Sequence, residues 1–507
     1  MAFLIFVQIY KIKMKNYLRH TVWMALLVLT ALLALNKLPS FAIAGHTLRK
    51  VDLLSDIRVL EEPNPQLPLL AAQVESEDNS DILNDSIVAS RDSLLNEQEP
   101  SDLNNTDKPK VVARPNIQWV TTDNCAEGIT CIADYSDSTA RGMYPYYKAV
   151  DDLDNDGYVR IAVFGDSFIE GDILTADLRA MLQGKYGGKG VGFVPITSKT
   201  FGFRPTVTHS FDGWDSHSVT DTSDFVMGRQ GISGHYFIPK QSAFIELRGQ
   251  KRYASRLDSC DVATLFYKKN TELTLETIVN GSEKKEFHLN GSPELQSLVI
   301  DGSIGRIRWT MPADSTALFY GAAMDGASGV ILDNFSLRGS SGYSLKSIPS
   351  INIKEFNSLR PYDLIILQYG LNVVSPEVYD YTYYKKQMKI VISYLKKQFP
   401  QAGFLLLSVG DRDFRADDGS YRTMPEIKYF IEQQREIAIE NNIAFWNMFE
   451  AMGGEDSMYD LVHSDPAKAN LDYTHINFRG GRFIAKKLFE SLIHGKSSFE
   501  KGEVYAE

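Results

Sequence analysis

The chain is predicted to be an α/β protein in which a parallel sheet, covered by helices on both faces, is interrupted by an inserted antiparallel β-sandwich. Three observations predict this. The runs Ile161-Ala162-Val163-Phe164 and Leu364-Ile365-Ile366-Leu367 are continuously apolar, as strands buried on both faces are, and each leads into a glycine turn. After residue 380, amphipathic helical stretches alternate with further apolar strands. Between the two halves, from about 201 to 335, short runs with a period of two are separated by turn pairs such as Asn280-Gly281, Asn290-Gly291 and Asp301-Gly302.

Residues 1–44 carry a targeting pattern. Lys15, Arg19 and His20 precede the apolar run 22–35, which is short for a membrane span, and Phe41-Ala42-Ile43-Ala44 offers a cleavage site. Export is expected, with a signal peptide as the main reading and an uncleaved membrane tether as its alternative. Residues 45–115 read as an acidic flexible linker, because 74–106 is dominated by Glu, Asp, Asn and Ser and has no aromatic residue with which to offset its ordering entropy.

The first part of the α/β domain spans 116–210. Tyr144, Tyr146, Tyr147 and Leu153 are candidates to pack on it, and Cys125 and Cys131 enclose a loop short enough for a small disulfide, leaving Cys260 over. Asp152-Leu153-Asp154-Asn155-Asp156-Gly157 opens like a calcium loop, but the twelfth position is Val163 where a Glu is needed, so a polar turn is expected. The glycine-rich stretch 186–193 lacks the Gly-x-x-x-x-Gly-Lys-Ser pattern of a phosphate cradle and reads as a loop. No metal-ligand spacing and no cofactor motif emerges. A formal charge of −11, without basic clusters, argues against nucleic acid as a partner.

The chemistry begins where the first buried strand ends, at Gly165-Asp166-Ser167. Ile169, Ile173, Leu174, Leu178, Met181 and Leu182 follow at helical spacing, so Ser167 is placed at the carboxyl edge of a sheet and the start of a helix. There it is either a nucleophile or a plain helix cap. Far downstream, Asp472 and His475 stand three apart before an amphipathic stretch, close enough for the carboxylate to orient the imidazole and leave its other nitrogen for a serine. His463 is the rival base.

Gly-Asp-Ser together with Asp-x-x-His resembles the SGNH (GDSL) hydrolases, whose parallel sheet is flavodoxin-like. That resemblance implies Ser167 as nucleophile, His475 as base and Asp472 as its orienting partner. It further implies an oxyanion hole built from the Ser167 N–H, a glycine N–H and an asparagine amide. Asn372 fits the last role in Gly370-Leu371-Asn372, although Val373 stands where the family usually has Asp. Gly342 is favoured as the glycine over Gly339.

The region 211–330 is the expected insert and 331–497 the second part of the α/β domain, with helices over 384–399 and 425–441 and strands over 403–409 and 443–446. A carbohydrate-binding-like module between the Ser and Gly blocks is similar to the arrangement in Gram-negative peptidoglycan O-acetylesterases. This implies an O-acetylated glycan polymer as partner and a periplasmic or cell-envelope location. Trp214, Tyr236, Tyr253, Tyr267, Trp309 and Tyr320 could stack on sugar rings, but buried core aromatics outnumber ligand platforms, so none is assigned to a sugar. The insert is expected to leave and rejoin the sheet near the active-site edge. An acetylesterase or lipase on another polysaccharide, sialic acid or a lipid, an O-acetyltransferase and a non-enzymatic glycan-binding scaffold fit the same residues less well.

Overall fold

Six strands form the central sheet: β1 (Ile132–Asp134), β2 (Tyr158–Gly165), β3 (Gly329–Ser336), β4 (Leu364–Gln368), β5 (Gly403–Leu407) and β6 (Ala444–Trp446). Their spatial order is β3-β2-β4-β5-β6-β1. The strands β2 to β6 pair in parallel and β1 closes the edge antiparallel to β6. Every residue of β4 and β5 is buried, which explains why both read as unbroken apolar runs. The chain runs from β2 outward to β3 and then back past β2 to β4, so the strand order reverses between β2 and β4. In open α/β sheets that reversal leaves a crevice at the strand carboxyl ends where ligands sit.

The computed structural model describes residues 42–43, 46–47, 125–136, 142–153, 157–221 and 223–502. The targeting segment apart from residues 42–43, the acidic linker apart from residues 46–47, and residues 154–156 of the calcium-like turn lie outside them. Two units are distinguished, the first holding the antiparallel pair Ala42–Ile43 and His46–Thr47 and the second all else described below. No helix among the described residues is long and apolar enough to cross a membrane.

The helices of the second unit are α1 (Tyr144–Asp151), α2 (Thr175–Tyr186), α3 (Ser350–Leu359), α4 (Thr382–Gln398), α5 (Glu426–Glu440), α6 (Met448–Met452), α7 (Ser457–His463) and α8 (Phe478–Glu500). In α8 the buried Ile484, Leu488 and Leu492 recur every four residues and pack that face against α2. The lead-in is anchored as its aromatics suggest: Tyr146 and Tyr147 of α1 are buried in the main core. The edge strand β1 has no counterpart in the sequence reading. It is three residues long, too short for a pattern, and follows the disulfide-bonded pair Cys125 and Cys131. Cys260 is a buried free thiol.

The insert is an antiparallel sheet. Its strands include His235–Gly249, Cys260–Lys269, Leu273–Val279, Ser292–Ile304, Arg306–Met311 and Leu318–Asp325, within the region whose short alternating runs predict them. Gly192–Val194, Val207–Ser218 and Lys285–Leu289 complete it, so the glycine-rich stretch ends in a strand that pairs with Ala322–Met324. One hydrogen-bonded network joins all nine strands, because Val207–Ser218 and His235–Gly249 pair over nearly their whole length and His235–Gly249 also pairs with Arg306–Met311 and Leu318–Asp325. Ile245, Leu265, Trp309 and Phe319 share a core distinct from that of the α/β domain. Tyr236, Tyr253, Tyr267, Trp309 and Tyr320 are buried, and Trp214 donates its indole N–H to the Phe244 carbonyl at 2.8 Å, so these aromatics serve packing.

The return from the insert differs from expectation. Gly329 pairs with Tyr158, so the chain re-enters the sheet at the amino end of β3, opposite the edge that carries Ser167. The strand needs its full length before reaching the loop that follows Ser336. The junction is ionic and buried: Arg360 meets Asp325 at 2.5 and 2.9 Å and Asp333 at 2.6 and 2.7 Å, and the Tyr362 hydroxyl donates to Asp333 at 2.6 Å. Such a cluster is tolerable inside a protein only because each charge is paired and hydrogen-bonded.

Candidate active site

Gly165 ends β2 where side chains have no room. A Cβ there would stand 2.8 Å from the Ile169 side chain and 2.9 Å from the Gln368 carbonyl on β4. Asp166 turns inward and accepts the Phe168 N–H at 2.9 Å. Burial pushes its carboxyl up to about 6, against the opposing effects of that N–H, of the charge of His475 and of the Gly370 and Leu371 N–H groups.

Ser167 opens a 3₁₀ turn, Ser167–Asp172, and not the long helix that its apolar spacing suggests. Glu170 is extended at ψ 150°, Gly171 has φ 60° and Asp172 φ 69°, and α2 begins only at Thr175. The kink is held by Asp172, which is buried. Its oxygens accept from Thr175 Oγ1 at 2.9 Å, Thr206 Oγ1 at 2.6 Å, Arg204 Nε at 2.9 Å, Arg179 Nη1 at 3.1 Å and Asn334 Nδ2 at 3.0 Å. Burial alone would raise its carboxyl, but Arg179 and Arg204 hold it far below the usual carboxylate range. The segment leading into the insert is thus latched to the turn that presents Ser167. This hub is absent from the sequence reading. Asp172, Thr175 and Arg179, spaced i, i+3 and i+7, share the helical side away from the apolar residues, so in the sequence they read as a solvated face.

The Ser167 hydroxyl lies 3.1 Å from His475 Nε2, across 308 residues of sequence. His475 Nδ1 lies 2.8 Å from Asp472 Oδ2, and Asp472 Oδ1 accepts the N–H groups of Thr474 and His475 at 3.0 Å each. Although burial acts the other way, these hydrogen bonds hold the Asp472 carboxyl below its ordinary value. With Nδ1–H committed to a carboxylate, Nε2 is the acceptor that faces the serine. The loop is shaped by Tyr473 at φ 55°, stacked on Tyr421 at 3.7 Å, and is followed by Asn477 capping α8. His463, the rival base, instead has its Nε2 2.9 Å from the Tyr473 hydroxyl.

The remaining two expected residues meet at Ser340. The Asn372 amide donates to the Ser340 carbonyl at 3.0 Å, and the buried Gly342 donates its N–H to Ser340 Oγ at 3.1 Å. Gly342 has φ 89° and a Cβ there would stand 2.9 Å from the Tyr369 ring, so the position excludes side chains. Gly339 also has positive φ, at 76°, but is only half-buried.

Behind the His475 loop lies a pair of acids the sequence reading passed over. Asp411 accepts from the Met458 N–H, Ser457 and Thr423 and is saturated as an acceptor, while Asp413 is buried beside it and its backbone N–H donates to the Tyr473 carbonyl at 3.0 Å. Burial first, then the charge of Asp411, push the Asp413 carboxyl up to about 8. The folded chain therefore binds a proton that the unfolded chain has released, and stability falls as pH rises from the ordinary carboxylate range through about 8. The Asp413→Asn variant is expected to melt higher than the parent at pH 8, with the gap closing toward pH 5. Melting curves across that range check this, and curves that stay parallel would contradict it.

No family model and no curated protein matches the chain. Solved structures do. A peptidoglycan O-acetylesterase aligns with a TM-score of 0.60 at 22% identity, over 72% of this chain and 99% of its own. A family two carbohydrate esterase from Clostridium thermocellum in complex with cellohexaose (TM-score 0.25, 11% identity, 57% of this chain and 99% of that one) is similar over less of the architecture. So is an acetyl xylan esterase (TM-score 0.24, 19% identity, 32% and 81%). Scores that low carry no argument here. A mixed sheet flanked by helices and carrying an inserted antiparallel sheet is the fold that this chain shares with a peptidoglycan O-acetylesterase.

Proposed function

We propose that the chain is an SGNH-type serine esterase that removes O-acetyl groups from a cell-wall glycan, peptidoglycan foremost. The observation that carries this reading is the continuous relay from Ser167 Oγ to His475 Nε2 and from His475 Nδ1 to Asp472, at the carboxyl edge of the sheet where its strand order reverses. In the proposed reaction His475 takes the hydroxyl proton as Ser167 attacks the ester carbonyl. The oxyanion is met by the Ser167 N–H, by the second N–H of the Asn372 amide, whose first is held by the Ser340 carbonyl, and by the Gly342 N–H once it exchanges Ser340 Oγ for the oxyanion. Collapse of the tetrahedral intermediate expels the sugar alkoxide, which His475 protonates. Water, deprotonated by the same imidazole, then releases acetate. The choice of glycan is supported by the likeness of fold to a peptidoglycan O-acetylesterase. Export is in keeping with the Cys125–Cys131 disulfide and the targeting pattern of residues 1–44.

Acetate released from O-acetylated peptidoglycan, set beside acetylated xylan and beside the Ser167→Ala variant, tests the reading. Preferential release from peptidoglycan that requires Ser167 is expected. A folded protein that frees acetate from no polymer would contradict it, and acetyl groups appearing on an added glycan would make it a transferase. Asn372→Ala is expected to cost about 10²-fold in kcat, the effect of removing one oxyanion donor. A loss seen only in KM would remove Asn372 from that role.

A further inference from the structure

Arg412 sits between the two loops that carry the candidate site. It follows β5, and its backbone is pinned on every side: its N–H donates to Asp411 at 2.9 Å, its carbonyl accepts the Met424 N–H at 2.8 Å, and the next N–H, of Asp413, donates to Tyr473 at 3.0 Å. Its half-buried guanidinium reaches the Val374 carbonyl, two residues past Asn372, at a long 3.4 Å. Arg179, Arg204, Arg360 and Arg482 each meet a carboxylate. Arg412 meets none within 4.0 Å among the described residues.

The acid whose charge acts on it is Asp472, and both oxygens of that carboxylate are already committed to the Thr474 and His475 N–H groups and to the imidazole. A half-buried cation whose partners are a carbonyl at 3.4 Å and the charge of an acid beyond ion-pair distance is only partly compensated for its lost hydration. The planar fork of arginine is matched by a carboxylate, which it binds with two parallel hydrogen bonds.

Resting on the proposed function, we infer that Arg412 is a specificity-determining residue that receives a free carboxylate borne by the acylated sugar, so that the preferred substrates are O-acetylated glycans whose sugar units are acidic, in peptidoglycan those muramic units that carry no stem peptide. The ester and its sugar lie at Ser167, between the Asn372 and Asp472 loops, and the guanidinium borders both. Neutral acetylated sugars would enter the same site without that contact.

Binding separates this from the question of turnover. An O-acetylated muramic acid disaccharide with a free lactyl carboxylate, and its lactyl methylamide, are titrated by calorimetry into the Ser167→Ala protein, which leaves the ester intact. The carboxylate form is expected to bind at least about tenfold more tightly. Adding Arg412→Gln should remove that preference, and Arg412→Lys, which keeps the charge without the fork, should restore part of it. Equal affinities for the two ligands in the parent, or a preference that survives Arg412→Gln, would overturn the inference. If both ligands weaken equally in Arg412→Gln and the parent preference remains, Arg412 acts on the Asp472 loop instead, which also overturns it. Failure of the esterase reading would show separately, as absence of acetate release by the protein with Ser167 in place.

Discussion

Replacing His475 with alanine is expected to lower kcat on a small acetyl ester by about 10⁴-fold or more, and Ser167→Ala to do the same, with the double variant no worse than either single one. In the proposed mechanism the two side chains act as one unit, because the hydroxyl at 3.1 Å is a nucleophile only while the imidazole can take its proton. His463→Ala should stay within about threefold, because its ring nitrogen engages the Tyr473 hydroxyl and its only route to the site is through the shape of that loop. Steady-state kinetics with a chromogenic acetate ester, on variants with unchanged melting temperature, decide the matter. Loss of activity in His463→Ala with retention in His475→Ala would exchange their roles.

The second large effect concerns folding. Asp172→Ala is expected to destabilise the second unit by about 3–5 kcal/mol, the cost of breaking a buried pair and leaving charge uncompensated. Arg179 has fully buried side-chain surroundings and Arg204 nearly so, and both would lose their carboxylate at once, together with the acceptor for Thr175, Thr206 and Asn334. Urea unfolding with an unchanged m-value would measure the loss. A double change that also turns Arg204 into methionine should recover part of it by removing one stranded charge. A loss below about 1 kcal/mol would mean that water reaches the hub and screens it. Because Asp172 holds the kink behind Ser167, the variant should also lose activity beyond what its unfolded fraction explains.

Much of the fold was legible because its signals are local. β2, β4, β5 and β6 announce themselves as apolar runs, α4 and α5 as amphipathic periods, and the insert as alternating runs broken by Asn-Gly and Asp-Gly pairs. Ser167, Asp472 and His475 were legible for a different reason. Short motifs fix each loop's conformation locally, and a resemblance joined two motifs that no rule of spacing could connect.

What the tertiary structure alone decided is everything that depends on which loops share an edge. The strand order β3-β2-β4-β5-β6-β1 is a matter of long-range pairing, and it alone brings residue 475 within hydrogen-bond reach of residue 167. The same holds for buried charge. Asp172 with Arg204 and Arg360 with Asp325 and Asp333 are polar residues whose partners lie at separations without period, so in the sequence they look like solvated surface. The kink at Gly171 and Asp172 overrode a helical pattern because a network of five hydrogen-bond donors outweighs the continuation of one helix by a turn. Sequence by itself determined most of the elements and which residues are candidates for chemistry, since these follow from side-chain type, short spacing and motif resemblance. Register, edge and charge pairing came only with the folded chain, because their energies are paid between residues that the sequence holds far apart.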